Sequence, residues 1–190
     1  MIVFARHGQT ALNQSGRLQG RIDAPLSDLG LEQAANLSRE LAGIPVTRVV
    51  ASPLQRAIQT ANVIAQPHGL AVETDERIIE LDYGEWDGIP LATVPSSAWA
   101  DWRADPAYTP PGGESLQAVT TRVTAFLDDV LGDGITIAVS HVSPIKAAVC
   151  RALGVDERVS WQMHLGVASV TRIGARSDGS PYLVSFNEFA

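Results

Sequence analysis

Three short clusters of this sequence combine residues suited to gripping and transferring an anionic group: Arg6-His7-Gly8, Ser52 with Arg56, and Ser140-His141. A phosphoryl group in transit spreads charge over three equatorial oxygens. Guanidinium groups hold such oxygens by charge-assisted hydrogen bonds. A neutral imidazole nitrogen is a competent nucleophile near pH 7. Arginines flanking His7 keep it unprotonated, because a nearby like charge disfavours imidazolium. The leaving alkoxide needs a proton, so this chemistry also demands a carboxylic acid. Glu80, Asp82 and Glu85 share one loop segment and compete for that role, with register favouring Glu80.

The elements needed to converge these clusters are legible around them. Ile2-Val3-Phe4-Ala5, Val46 to Ala51 and Ile135 to Val139 read as buried strands. Each ends just before one of the polar clusters. Helical segments alternate with them: one after Ser27, with Leu31, Ala34 and Leu41 on one face, and one opened by Ser52-Pro53-Leu54-Gln55 as cap, first-turn proline and capping-box glutamine. Leu116, Val119, Val123, Phe126 and Val130 form the stripe of a further helix behind Ser115, and Ser143-Pro144 opens one running to Leu153. Glu114 and Ser115 read as its cap. Ala168 to Ile173 and Tyr182 to Phe186 flank Ser177-Asp178-Gly179-Ser180 as a late hairpin. Alternating strand and helix predicts an α/β fold with a mostly parallel sheet, and ligands bind such sheets at the carboxyl ends of the strands. Helix N-termini at that edge favour anions.

With 190 residues, one domain spanning 1–190 is expected. Residues 84–113, rich in proline and holding Trp86, Trp99, Trp102 and Tyr108, read as an excursion over the active-site edge whose aromatics serve packing. A net charge of −7 argues against a nucleic-acid partner. No apolar run reaches the roughly 20 residues of a membrane span, and the N-terminus lacks a signal-peptide pattern. Cys150 is the single cysteine, which fits a cytoplasmic setting, and Lys146 is the single lysine. His-Glu-x-x-His, a cysteine pair, Gly-x-Gly-x-x-Gly and the Lys-Ser/Thr phosphate loop are all absent, so neither a metal nor a cofactor is expected. His68 reads as a loop residue, and His164 as a packing or hydrogen-bonding one.

The ordered set Arg6-His7-Gly8-Gln9-Thr10, Asn13, Arg17, Gln19-Gly20, Pro25 to Gly30, Ala51 to Ala57, Glu80 to Gly88, Pro111 to Ser115 and Val139-Ser140-His141 resembles the signature of the histidine phosphatase (phosphoglycerate mutase-like) superfamily. The resemblance implies a three-layer α/β/α sandwich and a catalytic set of His7, Arg6, Arg56, Glu80 and His141. His7 would be the phosphorylated nucleophile and Glu80 the general acid and later base. Asn13, Gln19 and Gly20 would lie at the substrate, while Arg17 stands between the pocket rim and a surface ion pair. Many members carry glycine after the second histidine; here Val142 adds bulk, and the run to Lys146 is similar to that of acid-phosphatase-like members. The resemblance therefore implies a phosphatase acting on a small phosphorylated metabolite such as a sugar phosphate or phosphoglycerate derivative. Membrane and nucleic-acid partners are not expected, and a homodimer is compatible with the reading. A mutase-type transfer and a non-catalytic phosphate-binding protein of the same fold are the alternatives.

Overall fold

The computed structural model describes residues 1–189. A six-stranded sheet is built from β1 (Ile2–Arg6), β2 (Arg48–Ala51), β3 (Val72–Thr74), β4 (Thr136–Ser140), β5 (Ser169–Ala175) and β6 (Pro181–Phe189). The order is β3-β2-β4-β1-β5-β6. The pairs β3/β2, β2/β4 and β4/β1 are parallel; β1/β5 and the β5/β6 hairpin are antiparallel.

Helices α1 (Ala11–Gln14), α2 (Asp28–Leu41), α3 (Gln55–Ala65), α4 (Ser96–Ala104), α5 (Leu116–Val130) and α6 (Val142–Leu153) surround the sheet. Strands β1, β2 and β4 are buried along nearly their whole length because both of their faces are covered. Ile2, Phe4, Val50 and Ala138 meet Val119, Val123 and Phe126 of α5 and Ile145 and Ala148 of α6. Val3, Ala5, Val49 and Val139 meet Leu37 and Leu41 of α2 and Ala57, Ala61 and Ile64 of α3.

Two local expectations are corrected. Leu31 is 47% exposed; the buried stripe of α2 runs instead through Gly30, Ala34, Leu37 and Leu41. Close approach sets that rotation, since a Cβ on Gly30 would lie 2.1 Å from the Gln9 carbonyl oxygen and one on Gly8 2.4 Å from that of Gly30. Nor does Ser52 cap α3, which begins at Gln55 behind Leu54 without a local side-chain cap. Asp23, 32 residues away, accepts the Gln55 N–H at 2.6 Å. The Ser52 hydroxyl is thereby left for His141.

The caps at Ser27 and Ser115 form as expected, accepting the N–H of Gly30 and Ala118. The short, largely exposed β3 lacks a buried apolar run and leaves little periodic signal. Residues 84–113 carry α4 and two 3₁₀ turns, Gly84–Trp86 and Leu91–Thr93. Trp102, 1% exposed, anchors them to the core.

Candidate active site

Register brings the three clusters together. Arg6 pairs with Ser140 and Ala51 with Val139, so the residues that follow β1, β2 and β4 emerge at one edge. His7 N–H donates to the Ser140 carbonyl at 3.1 Å, and Ser52 N–H to that of Val139 at 2.9 Å. The His7 and His141 rings lie 5.0 Å apart.

Arg56 stands between them from the first turn of α3, completely buried. Its Nε–H points at His7 Nε2 (3.2 Å) and His141 Nδ1 (3.3 Å), while its two terminal nitrogens donate to the carbonyls of Ile22 (2.9 Å) and Gly20 (2.7 Å). His7 Nδ1 lies 2.7 Å from the Gly8 carbonyl, an acceptor only, so Nδ1 carries the proton and Nε2 the lone pair. His141 Nδ1 accepts from Arg56, which leaves Nε2–H to donate to Ser52 Oγ at 2.7 Å. Burial, then Arg56 and Arg6, hold His7 well below the ordinary histidine range. Burial, then Arg56, does the same for His141.

Arg6 donates through one terminal nitrogen to the Leu165 carbonyl at 2.6 Å, and its buried Nε has no partner. Desolvation pulls this guanidinium down to about 10, leaving it charged at neutral pH. Buried donors are rarely left unpaired, and those that are call for a functional account. A second such donor, Gln19 Nε2, lies nearby in sequence, with Gln19 Oε1 taken by the Thr10 hydroxyl at 2.6 Å.

Of the three competing carboxylates, only Glu80 is buried, at 3% exposure. It accepts N–H bonds from Leu81 (2.8 Å), Val142 (3.1 Å) and Ser143 (3.1 Å) and so sits on the first turn of α6, behind His141. Asp82 instead accepts the Gly84 N–H and pairs with Arg21, while Glu85 is exposed.

The remaining expected residues are less uniform. Asn13 Oδ1 accepts the Thr10 N–H in the capping box of α1. Gly20 packs so closely that a Cβ there would lie 2.8 Å from the Leu81 carbonyl. Arg17 is exposed and donates to the Gly88 carbonyl at 2.7 Å. Glu114 binds Arg122 through both oxygens (2.9 and 3.1 Å). His164 is exposed rather than packed, and His68 is half-buried with an unpartnered Nε2.

Sequence reasoning missed Asp87, whose carboxylate accepts the N–H groups of Gly20, Arg21 and Ile22, each at 2.8 Å. It shapes the loop whose carbonyls hold Arg56. Its only sequence signal was its place in the Glu80–Gly88 run. Among the described residues no group of three His, Cys, Asp or Glu side chains is placed to hold a metal ion. Among the described residues no helix is long and apolar enough to cross a membrane.

The chain is 35% identical to phosphoserine phosphatase 1 of Hydrogenobacter thermophilus over 90% of its own length and 85% of that protein. It is also 35% identical to a bifunctional protein of Mycobacterium tuberculosis, over 94% of its own length; it spans about half (51%) of that relative. The solved structure of mycobacterial glucosyl-3-phosphoglycerate phosphatase in complex with VO3 superposes with a TM-score of 0.88 at 30% identity, covering 98% of each chain. The model of the histidine phosphatase superfamily (branch 1) matches residues 2–188, and the chain belongs to that family.

Proposed function

We propose that this chain is a metal-independent phosphatase that hydrolyses small phosphomonoesters through a phosphohistidine on His7. One observation carries the reading: the buried Arg56 Nε–H lies between two neutral imidazoles that turn their lone pairs toward it. An entering phosphoryl oxygen takes that N–H, together with the unpartnered Arg6 Nε–H. Nε2 of His7 is then free to attack phosphorus. The N–P bond forms, the P–O bond to the alcohol breaks, and the departing oxygen takes its proton from Glu80. Water then attacks phosphorus and gives a proton to Glu80, and the electron pair of the N–P bond returns to Nε2. Buried guanidinium charge and fixed N–H donors neutralise the equatorial oxygens in place of a metal.

Gln19 Nε2 and Asn13 complete the binding set; Arg17 sits at its rim. Residues 1–190 act as one domain, with 84–113 over the active-site edge. The lone, buried Cys150 supports a cytoplasmic setting. Relatives named for phosphoserine and glucosyl-3-phosphoglycerate support a small phosphorylated substrate.

The test is acid-free quenching during turnover of a labelled phosphomonoester. Label on one nitrogen of His7, with inorganic phosphate released faster than any isomeric ester, is expected. Label on a hydroxyl residue, or undiminished turnover by His7→Ala, would overturn it.

A further inference from the structure

Beside Glu80 lies a second cavity of about 160 Å³ that the phosphoryl chemistry does not use. Its wall is shared with the active site: Val142 and Ser143 line it and donate their N–H groups to Glu80. A leaving group protonated by Glu80 therefore has this cavity as its nearest enclosure. The volume is close to the ~150 Å³ that holds a single benzene ring in an apolar protein cavity.

The lining is aromatic. Trp99 and Trp102 stack with centroids 5.6 Å apart and planes 10° apart, and Trp161 meets both edge-on. Flat indole faces at these angles suit a planar or ring-shaped guest.

The polar groups of the cavity are the side chains of Tyr83, Ser143 and Ser160 and one cation, Lys146. Lys146, half-buried on α6, lines it; Glu80 attracts its ammonium through space without an ion-pair contact among the described residues. Burial pushes the Tyr83 phenol up, so it too remains a donor. No Asp or Glu lines the cavity. An ammonium facing an enclosed space without a hydrogen-bonded partner gains most from an anionic guest.

From this we infer that the cavity receives the alcohol part of the substrate, and that this alcohol has a ring-sized apolar body bearing a carboxylate, which meets Lys146. The inference rests on the phosphatase reading and narrows its substrate class.

Three esters test it: 4-carboxybenzyl phosphate, 4-methylbenzyl phosphate and glycerol 3-phosphate, with p-nitrophenyl phosphate as a control for His7-dependent turnover. By kcat/KM, the carboxylated ring should exceed the methylated ring about tenfold, a factor a single charge-assisted bond readily supplies. The methylated ring should in turn exceed glycerol phosphate. Lys146→Met should bring the carboxyl-to-methyl ratio close to one, and Lys146→Arg should preserve it. Equal rates on the two rings in the wild type overturn the assignment, as does a fall by Lys146→Met that is equal for every ester, since Lys146 would then be acting on Glu80. If p-nitrophenyl phosphate is still cleaved in a His7-dependent way, only the cavity assignment fails. If no ester is cleaved that way, the phosphatase reading falls and takes the cavity with it.

Discussion

At the carboxyl ends of β1, β2 and β4, polar side chains are fixed by short-range register and by many hydrogen bonds; Arg56 alone makes four. Across the wall formed by Glu80, Val142 and Ser143, the neighbouring cavity is lined by stacked indoles and one cation, Lys146. The first region sits on regular elements whose positions the sheet dictates. The second joins α5 and α6 to Leu91, Trp99 and Trp102 of the proline-rich excursion, which aromatic packing around Trp102 holds in place. Chemistry that must stay within fractions of an ångström benefits from a rigid scaffold, whereas a region that selects among alcohols can vary its loops without disturbing that scaffold.

Substitutions should therefore separate the two regions. The largest effect is expected for His7→Ala, a loss in kcat on the order of 10⁴-fold or more on every ester, as for removal of other catalytic nucleophiles. Glu80→Gln should lower phosphorylation by alkyl esters by roughly 10²–10⁴-fold. It should affect p-nitrophenyl phosphate far less, because a phenolate leaves without a proton; rapid-quench measurement of the first turnover separates the cases. Equal loss on both would move the acid role to another carboxylate.

Trp102→Ala breaks the other region. It should cost about 3–5 kcal/mol in urea denaturation, typical of a deleted core aromatic. The surviving folded protein should still form phosphohistidine, and loss of that step would mean that the aromatic cluster also shapes the phosphate end.

The two buried histidines of the phosphate end make stability depend on pH near neutrality. His7 and His141 are held neutral in the folded chain but ionise near 6.5 when unfolded. Below about pH 6.5 the unfolded state binds more protons, so stability falls as pH falls, by up to about 1.4 kcal/mol per pH unit for each histidine. The contribution is fully present above that range. Urea midpoints between pH 7 and 5 should thus decline more steeply in the wild type than in His7→Asn.

The smallest effect is expected for Ser52→Ala, about 1 kcal/mol, from losing the hydroxyl that accepts from His141. A loss much larger than this would show that Ser52 also anchors the start of α3.

The candidate cluster was legible because its residues lie at or just beyond the ends of buried strands. Once Ile2 to Ala5 and Ile135 to Val139 are read as neighbouring parallel strands, His7 and His141 must emerge at one edge. Ser52 was misread as a cap because its spacing to Gln55 fits a local capping box, whereas Asp23 reaches the same N–H from far along the chain. The rotation of α2 was misread at Leu31 because the Gly8–Gly30 contact is a fact of packing between segments.

The sequence by itself determined most of the element order, the mostly parallel sheet and the family, and it marked Arg6, His7, Arg56 and His141 as candidates, since apolar periodicity and motif order are local properties. Only the tertiary structure decided which of Glu80, Asp82 and Glu85 is buried against α6, which nitrogen of each histidine carries its proton, and that Trp99, Trp102, Trp161 and Lys146 enclose one cavity. Those outcomes depend on which groups of distant segments come within hydrogen-bonding or van der Waals range, and no local spacing encodes that.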